Sequence, residues 1–279
     1  MKRQIHTHYA LTIIVAACAL DAGCNQSEEV VSPPESWTLT MSDEFDGPEG
    51  APPNPAIWTY DIGGDGWGNN QLEFNTDRPE NVSLDGEGHL RIVARAESYM
   101  GNDYTSGRIK TQGLFEQKHG RFEARIKLPE GQGFWPAFWM LGSNIEEVPW
   151  PGCGEIDILE HQGLRPERVF ASLHGPGYSG ANPISGDFSL PDGESFADDF
   201  HVFAVDWDPS RITFSVDDEV YHAVNSTEVR IFGDWVFNQD FFVILNLAVG
   251  GNLGGPVGPD TVFPSQMLID YVRIFERAK

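Results

Sequence analysis

RFEARIKL, Arg121 to Leu128, alternates strictly: Phe122, Ala124, Ile126 and Leu128 are apolar, whereas Arg121, Glu123, Arg125 and Lys127 are charged. A period of two marks a strand with one face in a core and the other in water. Moving outward, Ile212, Phe214 and Val216 alternate with Arg211, Thr213, Ser215 and Asp217, and residues 90–94, 202–207 and 268–275 read similarly. Phe241 to Val249 is almost continuously apolar, which predicts a strand covered on both faces. No long amphipathic helical pattern occurs, and 30 glycines and 19 prolines punctuate the short strands. The expected fold is therefore all-β: a sandwich of two antiparallel sheets in one domain, residues 37–279.

The chain has 279 residues and 40% apolar content, enough for a sizeable core. Eighteen Lys and Arg stand against 42 Asp and Glu, a formal charge of −24. That balance disfavours nucleic acid, anionic membrane surfaces and sulfated glycans as partners, whereas a neutral polymer is not repelled. At the amino terminus, Lys2 and Arg3 precede an apolar run from Tyr9 to Leu20 that is too short to span a bilayer, which reads as an export signal. Asp21, Ala22, Gly23 and Cys24 resemble a bacterial lipobox, implying a signal peptide over residues 1–24, with Cys24 lipidated as the first mature residue. Asp21 stands where that motif usually has an aliphatic residue, which leaves free secretion open. Residues 25–36, with Glu28, Glu29, Pro33 and Pro34, read as a flexible tether. The expected location is outside a bacterial cytoplasm, lipid-anchored or secreted, and the expected state is a monomer.

Cleavage before Cys24 leaves Cys153 without a partner, so no internal disulfide is expected. Cys153 lies two residues before Glu155; it is either a small apolar wall residue or a thiol nucleophile served by His161 or His174. No HExxH spacing and no GxSxG elbow occur, so metalloprotease and α/β-hydrolase readings lack their motifs.

The densest chemical signal is GEIDILE, Gly154 to Glu160, which sets three carboxylates, Glu155, Asp157 and Glu160, among Ile156, Ile158 and Leu159. In a regular strand Glu155 and Asp157 share a face and Glu160 points away. A bulge near Leu159 would bring Glu160 back. Two glutamates about 5 to 5.5 Å apart across a cleft are what retaining glycoside hydrolysis needs. A solvated acidic edge accounts poorly for the interleaved aliphatic residues.

The spacing resembles the ExDxxE signature of glycoside hydrolase family 16, in its laminarinase-like branch. The likeness extends over DEFDG (Asp43 to Gly47), GWGNNQLEF (Gly66 to Phe74), YTSGRIKTQG (Tyr104 to Gly113), GQGFWPAFWMLG (Gly131 to Gly142), WPGCGEIDILEH (Trp150 to His161), SLHGPGYSG (Ser172 to Gly180), NLAVGGNLGG (Asn246 to Gly255) and IDYVRIF (Ile269 to Phe275). It implies a β-jelly roll with a concave substrate cleft and an endo-acting, retaining β-1,3-glucanase. In that role Glu155 is the nucleophile, Glu160 the acid/base and Asp157 the helper, and the partner is a neutral β-glucan. Mixed-linkage β-1,3-1,4-glucan or an algal galactan is the alternative substrate, and a noncatalytic β-glucan-binding protein the alternative class, although such relatives have usually lost the catalytic acids.

Flat aromatic faces stack on sugar rings, and Trp135 and Trp139, four apart and in phase on a strand, join Trp67 as candidates, with a sandwich core as the other home for a tryptophan. The resemblance adds Asn70 and Arg108 as partners of sugar hydroxyls, and more weakly His174 and Asn246, for which a structural hydrogen-bonding role is the alternative. The chemistry needs no cofactor. The resemblance also implies a structural calcium held by Glu44, Gly88 and Asp270, for which ordinary edge acids are the alternative.

Overall fold

The computed structural model describes residues 37–278. The expected signal, Cys24 and the tether lie outside the described residues. Within them run β1 (Trp37–Asp43), β2 (Thr59–Tyr60), β3 (Glu73–Asn75), β4 (Val82–Leu84), β5 (Leu90–Tyr99), β6 (Asn102–Ser106), β7 (Arg108–Lys110), β8 (Gly120–Lys127) and β9 (Phe134–Gly142). The chain continues through β10 (Glu155–His161), β11 (Arg168–His174), β12 (Ile184–Ser189), β13 (His201–Trp207), β14 (Arg211–Val216) and β15 (Glu219–Asn225). It closes with α1 (Ser226–Val229), β16 (Phe241–Val249), α2 (Gly251–Gly254) and β17 (Ser265–Arg277), both helices being single turns.

These strands form two sheets, the jelly-roll sandwich expected from the alternation. The outer sheet has ten strands, ordered β15-β14-β13-β8-β17-β5-β6-β3, with β1 added on β17 and β4 on β5. The cleft sheet has seven, ordered β12-β11-β10-β9-β16-β7-β2. All pairings are antiparallel, as expected, except β3 with β6 at one edge. The local reason is that β5 pairs β6 antiparallel, and β3 then enters beside β6 by a long connection, not by a hairpin.

The core lies between the sheets. From β8 it takes Phe122, Ala124 and Ile126, each 0% exposed, while Arg121 and Glu123 on the outward face pair at 2.7 Å. The facing sheet contributes Phe138 and Met140 from β9, Ile156 from β10, and Val169, Ala171 and Leu173 from β11. Each large side chain so buried is worth about 1.5–3 kcal/mol by transfer alone, and Phe122→Ala is expected to cost about 3–5 kcal/mol in chemical denaturation because a cavity is left as well.

All nine residues of β16 are buried, as its apolar run predicts. Phe241, Val243, Leu245, Leu247 and Val249 enter the main core. The alternate row does something else: Phe242 and Ile244 join Leu141 and Cys153 in a small cluster beneath the cleft, and Asn246 continues that row. At the far edge Gly186 of β12 lies under the His222 ring of β15, where a Cβ would come within 2.5 Å of the imidazole. A side chain there would push the two sheets apart at that edge.

Candidate active site

β10 carries the three carboxylates, and its register shows how they reach one face. Against β9 the pairs are Glu155 with Leu141, Ile156 with Met140 and Asp157 with Trp139, then Leu159 with Phe138 and Glu160 with Ala137. Against β11 the pairs step from Asp157–Ser172 to Glu160–Phe170. The strand therefore carries one extra residue, Ile158. Ile158 and Leu159 both turn into the core, at 1% and 0% exposed, and Glu160 returns to the side of Glu155 and Asp157. The expected bulge is present, centred one residue before Leu159.

Each carboxylate sits in its own surroundings. The Glu155 side chain is 18% exposed and that of Asp157 only 4%, which leaves Glu155 the one open to a ligand. The Trp150 indole N–H donates to Glu155 Oε2 at 2.6 Å. Glu155 and Asp157 are in hydrogen-bonding contact, which requires a proton on one of them. Trp135 Nε1–H donates to Glu160 Oε1 at 3.2 Å, and the Ser172 hydroxyl also reaches Glu160. His174 brings Nε2 within 3.1 Å of Asp157 Oδ2 and 3.9 Å of Glu155 Oε1. Its Nδ1 accepts the Gly180 N–H at 3.2 Å, so in the neutral ring the proton sits on Nε2, facing the carboxylates.

Burial raises the pKa of all three acids, and their mutual repulsion raises them further. Glu155 is pushed up to about 8, by burial first and the Asp157 charge second. Glu160 is pushed up to about 7, by burial and then the Glu155 charge. Three such groups titrate as a set, so near neutral pH the cluster ionises in part and retains at least one proton.

The flank formed by β9, β16, β7 and the 61–73 segment supplies the aromatic wall. Trp135 and Trp139 both lie on the cleft side of β9, as their phase predicts. Trp139 Nε1–H is tied to Asn246 Oδ1 at 2.8 Å. Trp135 is only 8% exposed, because Gly251 and Gly254 of α2 pack on it, so it supports Glu160 more than it presents a face. Arg108 is the centre of this wall: its guanidinium lies 4.7 Å from the Trp67 ring and 4.9 Å from the Trp139 ring. Asp61 holds it through Nε at 2.9 Å and also binds Lys110 at 2.6 Å. Burial pushes the Arg108 pKa down while Asp61, Glu155 and Glu73 oppose that shift. Trp67 itself has φ of 50°, a backbone region costly for a bulky side chain.

Two candidates make hydrogen bonds within the protein. Asn70 is exposed and donates its amide to Asn252 Oδ1 at 2.8 Å, tying the GWGNN loop to α2. Asn246 orients Trp139. The burial of Cys153, with Glu155 as a second cause, pushes its thiol up to about 11, which fits a wall residue and disfavours a thiolate nucleophile. His161 lies in the core with Nδ1 2.8 Å from the Arg168 carbonyl oxygen, out of reach of such a role. Four further residues enter the site: Trp150, Asp61, Ser172 and Glu73. Glu73 is fully buried, accepts the Val249 N–H at 2.8 Å and has its pKa pushed up to about 7 by burial. Trp150 could have been found from its place beside the signature, whereas the others carried no signal of their own.

Glu44, Gly88 and Asp270 lie on or beside β1, β5 and β17 of the outer sheet. Glu44 follows Asp43, which pairs Val272; Gly88 precedes Leu90, which pairs Ile269; and Asp270 occupies the irregularity between Ile269 and Tyr271. Arg273 holds the Glu44 carboxylate at 2.7 and 3.0 Å, and Arg125 holds Asp270 Oδ2 at 2.7 Å. Backbone carbonyls of Glu44 and Gly88 with a carboxylate oxygen of Asp270 are the donor types that calcium takes. In the cleft, one atom each of Glu155, Asp157 and His174 lie within 4.8 Å of one another, a second place able to hold a cation.

A two-sheet β sandwich that gathers Glu155, Asp157 and Glu160 on one sheet face has the arrangement of the two-carboxylate glycoside hydrolases. The model of glycosyl hydrolases family 16 matches residues 65–271. A beta-glucanase of Rhodothermus marinus is 38% identical over 98% of this chain and 95% of its own. The laminarinase catalytic domain of Thermotoga maritima MSB8 superposes with a TM-score of 0.83 at 44% identity, covering 88% of this chain and 100% of that one. The endo-β-1,3-glucanase of Pyrococcus furiosus gives 0.83 at 44%, over 87% and 95%. The chain belongs to glycosyl hydrolase family 16.

Proposed function

We propose that this protein is an endo-acting β-1,3-glucanase of the laminarinase type that retains anomeric configuration. The observation that carries it is the single bulge at Ile158, which turns Glu160 onto the face of Glu155 while the core stays filled. Ionised Glu155 attacks the anomeric carbon as Glu160 gives its proton to the departing glycosidic oxygen; the C–O bond to the leaving chain breaks and an ester to Glu155 forms. Water then attacks the anomeric carbon, giving its proton to Glu160 as the C–O bond to Glu155 breaks, which regenerates both groups. Trp150 and His174 favour the ionised form of Glu155 against burial, while burial and the Glu160 charge raise the pKa of Asp157, which shares a proton with Glu155. Arg108, fixed between two indoles, supplies a cation near Glu155 and donors for sugar hydroxyls.

The relatives' names support β-1,3-glucan as the substrate, and the −24 charge agrees with a neutral polymer. Reducing-end release by residues 25–279 on laminarin, mixed-linkage glucan and agarose, with Glu155→Gln in parallel, tests the proposal. Release from laminarin that the variant loses supports it; activity on agarose alone, or binding without release, refutes it. For residues 1–24 we keep the lipoprotein-type signal, which incorporation of labelled fatty acid at Cys24 would check. Calcium at Glu44, Gly88 and Asp270 is expected to raise the melting temperature, an effect Asp270→Ala should remove.

A further inference from the structure

We propose that His161, the last residue of β10, is a positioning residue that holds Glu160 where it can protonate the leaving oxygen; the proposal rests on the reading of Glu160 as the acid/base. Beyond the bulge β10 keeps two pairs with β11, Glu160 with Phe170 and His161 with Val169, and two with β9, Leu159 with Phe138 and Glu160 with Ala137. Glu160 therefore stands near the end of a ladder that the extra residue has already interrupted. A slip of one residue there would turn its carboxylate into the core and His161 into the cleft.

The His161 side chain strengthens that short end. It turns into the core, 1% exposed, with the Phe196 ring edge-on at 6.4 Å between centroids. Nδ1 lies 2.8 Å from the Arg168 carbonyl oxygen, and because a carbonyl cannot donate, Nδ1 carries the proton. Arg168 precedes Val169, so this bond crosses to β11 one residue beyond the last main-chain pair and serves as a further rung. From the next residue, the Gln162 amide donates to the Leu253 carbonyl at 2.7 Å. Leu253 belongs to α2, which packs on Trp135, the indole that donates to Glu160. The two residues after Glu160 are thus fastened to separate elements. Packing alone would be served by an apolar residue at position 161, since a buried imidazole is costly unless bonded. Here the bond goes to the backbone of the strand that faces Glu160. A general acid acts only within hydrogen-bond reach of the departing oxygen, so the restraint bears on proton donation more than on attack by Glu155.

Leaving-group dependence tests this. One substrate is the shortest β-1,3-gluco-oligosaccharide that wild type cleaves, whose departing sugar needs a proton; the other is dinitrophenyl β-1,3-glucobioside, whose departing phenolate needs none. Glu160→Ala sets the reference and should lower kcat/KM about 1,000-fold on the oligosaccharide and far less on the aryl glycoside. His161→Leu keeps the volume and removes the donor; it should cost about 100-fold on the oligosaccharide and less than about threefold on the aryl glycoside. His161→Asn keeps an N–H near the Nδ1 position while leaving a cavity, and should hold the ratio of the two substrates within about threefold of wild type. A histidine that only fills the core would make Asn the worse variant and would lower both substrates alike. Equal loss on the two substrates in His161→Leu, no loss on either, or a ratio in His161→Asn as low as in His161→Leu overturns the proposal. If His161→Leu yields no folded protein, a ratio in His161→Asn that falls with Glu160→Ala overturns it and one near wild type supports it. Equal loss in Glu160→Ala itself refutes the acid/base assignment, whereas a selective loss there beside an unselective one in His161→Leu refutes the role of His161 alone.

Discussion

The two flanks of β10 are built on opposite plans. Towards β9, β16 and β7, the groups nearest the carboxylates are committed: Trp139 to Asn246, Trp135 to Glu160, Arg108 to Asp61, Glu73 to the Val249 amide. Towards β11 and β12 the floor is small and polar, with Ser185, Asp187 and Ser189 exposed. The committed flank is pre-organised, so binding there costs little ordering and tolerates little change. A hydrolase that cuts inside a long chain needs rigid geometry at the reacting ring and tolerance beyond it, and the division of labour across one sheet provides both.

Glu155→Gln sets the scale for breaking this comparison: kcat should fall about 10⁴-fold or more in a reducing-sugar assay, with binding retained. Asp61→Asn probes the committed flank. Freed from its anion, Arg108 should lose its place between the indoles, and kcat/KM should fall about 100-fold even on the shortest substrate. If that loss were smaller than the loss from Phe170→Ala on the same substrate, the contrast between the flanks would collapse. Trp150→Phe removes the donor to Glu155 and should lower kcat about tenfold. Because that donor favours the carboxylate, its loss raises the Glu155 pKa, so the acidic limb of the kcat/KM profile should move to higher pH.

Glu73→Gln gives the smallest effect and concerns stability. Burial raises the Glu73 pKa to about 7, so the folded state holds a proton that the unfolded state releases at an ordinary glutamate pKa. Between those values the folded state binds more protons, and stability falls as pH rises. Melting temperatures measured from pH 4 to pH 8 should therefore decline less in Glu73→Gln than in wild type.

The fold was legible because RFEARIKL, the β14 segment and the β16 run each carry their burial pattern locally. The three carboxylates were legible for the same reason, and a bulge was the one local device that could reunite them. What stayed hidden needed partners distant in sequence. Asp61 meets Arg108 across 47 positions, and Trp139 meets Asn246 across 107, so neither tie can be read from spacing. Asn70 looked free for a sugar, but Asn252, 182 positions away, takes its amide. Phe170 lies opposite Glu160 only because β11 pairs with β10 in a register shifted by the bulge.

The central claim, that the bulge makes Glu155 a nucleophile served by Glu160, is tested most directly by trapping. A 2-deoxy-2-fluoro β-1,3-glucobiosyl fluoride should form a slowly hydrolysed covalent enzyme, and peptide mapping by mass spectrometry locates the label. The label is expected on Glu155. A label on Asp157 or Glu160, or rapid turnover of the fluoride to the inverted product with no adduct, would contradict the account.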